Sequence, residues 1–536
     1  MWESGQRVQA GLTTALPHIP QTTTSHVRQK KAASRMTQLI AIDAPLEWRD
    51  IGAIACGASI DLSNDARTRI ANARAIVEAI VEKKIRGYGI NTGVGALCDV
   101  IVDAPVQRAL SRNIIMSHAC GVGNPLGKAE TRAIMAVMVN TFAMGYSGVR
   151  PETVDLLLTM LNRDCIPVVR SEGSVGYLTH AASISLVMIG GGKASVDGVH
   201  LTGEEALARI GQKPLVLEAK EGLSLINGTN CSTGLASLAL CRMERLTDWA
   251  DAAAAMTYEN LGSQSGTFAE ETLSMRLSRG LSSVGATMRA YLEESPILAT
   301  TAGRRTQDPL SLRATPQIHG AIRDTFDHVS DVLRRELVSV TDNPAVSGTP
   351  DAPRVHSQAH AVGAALALAT DSLAIAAAEL GAISERRLDR LVNPLVSGLP
   401  AFLTTDSGVC TGFQLVQYTA ASLVADNRRL ALPASLDGGI TAALQEDILT
   451  HATPSALKLL KILDNVENIL AIELLGAAQA YDLQPREISP GPMTSALRAR
   501  IRALVATYAD DRPIADDIET IKMMLTGSNP IMNVSD

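Results

Sequence analysis

Tyr88 stands between glycines in the run Gly87-Tyr88-Gly89-Ile90-Asn91-Thr92-Gly93-Val94-Gly95. A phenol on so compliant a backbone can turn its ring into a cavity and take a proton. It needs positive or hydrogen-bonding neighbours to do so near neutral pH, because its ordinary pKa is about 10. Other groupings have the residue types for chemistry but not the spacing. Gly190-Gly191-Gly192-Lys193 lacks the leading glycine and the following Ser or Thr of a phosphate loop, and reads as a glycine-terminated helix end. His356 and His360 have the i, i+4 spacing of a helical zinc pair, but position 357 is Ser where the Glu of that motif belongs. No other Cys or His cluster completes a set, so no metal is expected. The seven cysteines are scattered, with no Cys-x-x-Cys pair, which predicts free thiols in a reducing cytoplasm.

The elements that must position such residues are helical. Of 536 residues, 46% are hydrophobic but only 3% aromatic, so the core is built from Leu, Ala, Val and Ile. That palette suits closely packed helices and suits β-sandwiches poorly. The spacing predicts helices over 64–84, with Ser63 or Asn64 as cap, and over 129–143 and 151–162. Three longer ones are expected over 235–260, 361–391 and 454–481, apolar on several sides and therefore buried among other helices or against other subunits. Residues 1–35 lack the apolar centre of a signal peptide and read as a disordered arm, with Met36 as an alternative start. The expected organisation is a mostly helical region carrying loops over 36–234, a long-helix bundle over 235–483 and a helical portion over 484–536. A net charge of -7 gives no reason to expect nucleic acid, and no uninterrupted apolar run reaches the roughly 18 residues of a membrane span.

Further loops line up behind the Tyr88 run. They are Ser117-His118-Ala119-Cys120-Gly121-Val122-Gly123, Gly145-Tyr146-Ser147-Gly148-Val149-Arg150-Pro151 and Glu221-Gly222-Leu223-Ser224-Leu225-Ile226-Asn227-Gly228-Thr229. After them come Gln307-Asp308-Pro309-Leu310-Ser311-Leu312-Arg313, Ser384-Glu385-Arg386-Arg387 and Gln445-Glu446-Asp447. In this order they resemble the aromatic amino acid lyase family, histidine ammonia-lyases most closely, over roughly 46–483. The resemblance implies a mostly α fold, a homotetramer with a shared bundle of long helices, and active sites drawing residues from three subunits.

One departure bears on the chemistry. In the family an Ala-Ser-Gly tripeptide follows Gly-Ser-Val-Gly and cyclises into an electrophilic methylidene-imidazolone group. Here Gly173-Ser174-Val175-Gly176 runs straight into Tyr177-Leu178-Thr179-His180, and no Ala-Ser-Gly occurs anywhere. The flanks change too: Asp has become Tyr177 and Pro has become His180. The expectation is an enzyme with no such cofactor. Without the electrophile a substrate must bring its own leaving group, as a trimethylammonium does. A histidine betaine such as ergothioneine, giving thiourocanate and trimethylamine, fits that demand. Two alternatives stay open: a histidine ammonia-lyase whose tripeptide is missing from the written sequence, and an inactive lyase-fold scaffold.

The resemblance also implies roles. Tyr88 is the base for the β-proton. Arg313 holds the substrate carboxylate through two parallel bonds, with Asn227 and Gln307 at the same end. His118 and Glu446 meet the ring, and Glu446 can accept an imidazole N–H. Tyr177, beside the deletion, can offer its face to a trimethylammonium, with His180 next to it. Leu310 replaces a family Tyr, and His360 and Ala361 replace the Asn and Phe of an Asn-Phe-His motif, which makes His360 a substrate-side residue.

Overall fold

The expected helices form where the pattern places them, within a few residues at each end. In a computed structural model describing residues 39–530 except 437, 486 and 487, helices run Asn64–Glu82, Lys128–Ala143 and Pro151–Asn162. The first is capped by Ser63, whose Oγ accepts the Ala66 N–H at 3.1 Å. The three long helices are Asn230–Asn260, Ala364–Val392 and Ala452–Asp482. Thr315–Leu337 completes a group of four that pack on one another. Strands are confined to small sheets of two or three, such as the parallel pair Leu39–Ile42 and Ser59–Leu62.

Small residues set the spacing between helices. Ala250 and Ala252 to Ala255 are buried in the middle of Asn230–Asn260. At Gly234 of the same helix, a Cβ would lie 2.8 Å from the backbone of Ala133 and Ile134, so only glycine permits the approach to Lys128–Ala143. The four long helices also share a buried charged layer. Arg387 donates to Glu473 at 2.6 and 2.9 Å, and Glu473 accepts from Thr257 and Ser384. Arg387 further donates to His319 Nε2, so His319 holds its own proton at Nδ1, facing Asp251 at 2.6 Å. Burial pushes the His319 imidazole below its ordinary pKa, in keeping with that neutral tautomer.

Two expectations need correction. The described residues form one compact unit, and the boundary at 234/235 falls inside Asn230–Asn260, so the three expected regions are not separate domains. A boundary there would expose a helix that is buried nearly all round. The stretch His360–Val392 is long and apolar enough to cross a membrane by length and composition. Counting only uninterrupted apolar runs overlooked it, but half of its most apolar part is buried, and the helix packs on Asn230–Asn260, Thr315–Leu337 and Ala452–Asp482. The i, i+4 pair already set aside on its sequence is not helical: His356 lies in the strand Pro353–His356 and His360 in a 3-10 turn. The expected arm over 1–35 lies outside the described residues. The 484–536 region contributes helices Pro492–Arg502 and Ala515–Gly527, both packed against Ala452–Asp482.

Truncating Glu473 to Ala would strand Arg387 among four helices and should cost about 3–5 kcal/mol of stability. The double variant Arg387→Met with Glu473→Leu should lose much less, because it leaves no charge unpaired. Urea denaturation of the three proteins reads the difference, and equal losses would contradict this account.

Candidate active site

The Tyr88 loop is held by its own polar residues. Asn91 Oδ1 accepts the Gly87 N–H at 2.9 Å, and Thr92 Oγ1 accepts the Gly89 N–H at 3.0 Å. Gly89 has φ +61, and a Cβ there would sit 2.2 Å from Leu223 Cδ2, so this turn requires glycine. The loop leaves Tyr88 half-buried, with its hydroxyl oxygen accepting the Gly95 N–H at 2.9 Å. Burial raises the phenol above its ordinary pKa, the Gly95 N–H opposes that, and Glu446 adds to the rise.

Glu446 arrives from a second loop. Ala442, Ala443 and Leu444 all have positive φ, and a bridge between Thr441 and Glu446 closes the turn. The turn lies against Gly95–Leu97. Glu446 Oε2 accepts the Tyr177 hydroxyl at 2.8 Å, while Oε1 makes no hydrogen bond among the described residues. Tyr177 is half-buried, and burial together with the Glu446 carboxylate drives its phenol far above the ordinary value. It is therefore a fixed neutral donor. The fold thus brings Tyr88, Tyr177 and Glu446 together within one chain.

The backbone beside Tyr177 is unusual. Leu178 has φ 78 and ψ -71, and the Thr179 N–H reaches back to the Tyr177 carbonyl at 3.2 Å. That is a γ-turn of the rare, strained kind. It lies at the position of the missing tripeptide and is braced on both sides. Ser174 Oγ donates to the Tyr177 carbonyl at 3.0 Å, and Thr179 Oγ1 donates to the Gly173 carbonyl at 3.0 Å. Val175 and Gly176 are tied through their carbonyls to the His451 N–H and the Thr453 hydroxyl at the start of Ala452–Asp482.

His180 follows in the first turn of Thr179–Met188 and is 1% exposed. Its Nε2 faces the Ser171 carbonyl at 3.2 Å, so Nε2 carries the proton and the unpartnered Nδ1 is bare. From this place it holds the strand Arg170–Glu172 rather than facing an open cleft. Burial holds its pKa down at about 4.

A second group forms around Asn227, which is buried and donates to the Asn343 carbonyl at 2.6 Å. Thr229 Oγ1 donates to Glu336 at 2.5 Å. Burial raises the Glu336 carboxyl above its ordinary range, although Thr229 and the nearby His360 oppose the rise. His360 is exposed, with Nδ1 donating to the Val340 carbonyl at 3.0 Å and Nε2 left open. Ala361 beside it is buried. Lys220, Glu336, Asp342 and Asn343 belong to this group and the sequence reading missed them. The polar run Thr341-Asp342-Asn343-Pro344 was the available signal, since Asn-Pro marks a turn.

The remaining residues make no hydrogen bond to these two groups among the described residues. His118 ends the helix Gln107–His118, where its Nδ1 donates to the Ile114 carbonyl at 2.7 Å and Nε2 becomes an acceptor. Gln307 and Leu310 are exposed. Arg313 is half-buried at the end of Leu310–Arg313, and its Nε has no partner among the described residues. No hydrogen bond among the described residues joins Arg313 or Gln307 to Tyr88, Tyr177 or Glu446. Cavities of about 390 and 350 Å³ lie elsewhere, one lined by Arg74, Arg108 and Glu218 and the other by Arg69 and Asn140.

The buried His180 gives the fold a pH limit. Its folded pKa of about 4 lies below the ordinary 6.5, so the unfolded chain binds the proton that the folded chain refuses. The stabilisation is complete above about 6.5 and is lost as pH falls towards about 4, a limb worth roughly 3 kcal/mol. Urea denaturation across that range should show this limb in the wild type and not in His180→Leu; equal slopes would refute the assignment.

The aromatic amino acid lyase family matches residues 46–503. The chain is 44% identical over 489 residues to a histidine ammonia-lyase of Symbiobacterium thermophilum, covering 90% of this chain and 96% of that one. Among solved structures, histidine ammonia-lyase from Trypanosoma cruzi superposes with a TM-score of 0.85 at 35% identity, covering 91% of this chain and 93% of that one. The ergothioneine-degrading ergothionase from Treponema denticola superposes with a TM-score of 0.84 at 27% identity, covering 91% and 98%. A fold of long buried helices, the ordered loops and these likenesses agree: the chain is a carbon–nitrogen lyase and belongs to the aromatic amino acid lyase family.

Proposed function

We propose that this lyase eliminates trimethylamine from a histidine betaine, ergothioneine by preference, without a methylidene-imidazolone group. The observation that carries this reading is Tyr177. It is joined directly to Gly176 where the tripeptide would begin, and its hydroxyl is bonded to Glu446 beside Tyr88. The residues present therefore do not fit the family's prosthetic group.

Tyr88 removes the β-proton as phenolate, with the Gly95 N–H donating to the oxygen that bears the charge. The C–H electron pair becomes the Cα–Cβ double bond, the Cα–N bond breaks, and its pair leaves on neutral trimethylamine. Glu446 Oε1 accepts an N–H of the imidazole or thioimidazole ring, and His118 Nε2 offers a further acceptor to it. Arg313, whose Nε lacks a partner, takes the carboxylate, with Asn227 and Gln307 supporting that end. The Tyr177 ring, fixed by its hydroxyl, offers a face to the trimethylammonium. In a homotetramer with shared sites a second subunit would supply Arg313 and Gln307. The exposed apolar side of Ala364–Val392, where Leu368 and Ile375 face outward, supports such an assembly.

A second reading, histidine ammonia-lyase, draws on the higher identity to enzymes of that name, 44% against 27% for the ergothionase. Incubation with ergothioneine should release trimethylamine and a conjugated acrylate, and incubation with histidine should release no ammonia. Ammonia from histidine, with an intact mass above that of the written chain, would establish the second reading. Because Tyr88 titrates above its ordinary value, kcat/KM should climb about tenfold per pH unit from neutral pH upward. Tyr88→Phe should remove that limb and lower kcat by about 10²–10⁴-fold.

A further inference from the structure

Thr341-Asp342-Asn343 bonds to two distant stretches that carry substrate-side residues. Towards the Asn227 loop, the Asn343 carbonyl accepts Asn227 Nδ2 at 2.6 Å and Thr341 Oγ1 accepts the Thr229 N–H at 3.3 Å. Towards His360, Asn343 Oδ1 accepts the Gln358 N–H at 2.9 Å and the Asp342 carbonyl accepts Gln358 Nε2 at 2.6 Å. Gln358 Oε1 in turn accepts the His360 N–H at 2.5 Å. Under this junction lies an ion pair removed from water: Lys220 Nζ sits 3.0 Å from Asp342, with exposures of 0% and 1%. Lys220 also donates to Ser224 at 2.7 Å and holds a left-handed backbone at φ 71, directly before the helix Glu221–Ser224.

A buried ion pair adds little net stability compared with an apolar pair of the same volume, but it fixes direction. Here the direction it fixes is that of the carbonyl and side chain that hold Asn227 and, through Gln358, His360. We propose that the Lys220–Asp342 pair is a positioning device that sets Asn227 and His360 in one fixed relation, so that the substrate groups they meet are held in register. The proposal rests on the reading of Asn227 and His360 as substrate-side residues, but not on which substrate is consumed.

The test uses the full chain and three variants. Asp342→Asn keeps the shape and removes the charge. Lys220→Met keeps most of the stem. Gln358→Ala cuts only the arm to His360, at a half-buried edge where folding should survive. On whichever of ergothioneine and histidine the wild type consumes, KM should rise about tenfold in the first two and several-fold in the third, with kcat changing less. Hydrogen exchange needs no turnover and therefore separates this proposal from the choice of substrate. The Thr229, Gln358 and His360 amides should exchange faster together in Asp342→Asn and Lys220→Met. In Gln358→Ala only those of 358 and 360 should change, and the Gly95 amide should be unaffected throughout. An unchanged KM in the foldable variants, or faster exchange confined to 220–224, would overturn the proposal.

Discussion

The pairing of Arg387 with Glu473 is the constraint on which the rest of the bundle depends. Both side chains are wholly withdrawn from water, and each also meets partners from other long helices. A purely aliphatic bundle of Leu and Ala could slide by a turn at little cost, since one such contact resembles the next. A charge that must meet its partner and satisfy its remaining hydrogen bonds has far fewer acceptable registers. The layer therefore sets the axial position of the helices, and with it the start of Ala452–Asp482. That start matters because His451 and Thr453 tie down the Val175–Gly176 backbone on which Tyr177 stands.

From that anchored end the site is assembled by loops rather than by helix faces. The Tyr88 turn depends on Gly89, the Glu446 turn on three positive-φ residues, and the Tyr177 turn on a strained Leu178. Backbone strain of this order survives only where surrounding bonds over-determine it. Ser174 and Thr179 supply such bonds on either side of Leu178. The result is two phenols beside one carboxylate, with different tasks open to them. Tyr177 is a locked donor. Tyr88 accepts a backbone N–H at the oxygen that would carry charge.

The helices were legible in the sequence because their apolar spacing is long and regular, and the Ser63 cap and the Pro151 start were legible for local chemical reasons. The loops were found through resemblance, and the pairing of Tyr177 with Glu446 was not foreseen: 269 positions separate the two, and nothing local encodes their meeting. The same holds for Lys220 and Asp342, an ion pair that only the packed chain reveals. His180 shows the opposite failure. Its place beside the deletion suggested a role facing substrate, but its position in the first helical turn turns the ring inward, where the Ser171 carbonyl receives its proton. Domain boundaries failed because composition changes along the chain whereas packing does not: Asn230–Asn260 carries one register of contacts straight through residue 234.

The raised basicity of Tyr88 has a consequence for the substrate. A phenolate whose pKa is raised above the ordinary tyrosine value is a stronger base than the α-amine of an amino acid. Offered an ordinary amino acid, such a base removes the proton on nitrogen before the weakly acidic proton on Cβ, and an uncharged amine is then a far worse leaving group. An electrophile that captures the amine is one escape from this competition. A quaternary nitrogen is another, because it carries no proton to lose. It keeps its positive charge until the Cα–N bond breaks. On the proposed reading, the loss of the tripeptide and the retention of the tyrosine base are one adaptation: the site gave up its means of activating an amine and kept a base suited to a substrate that arrives already activated.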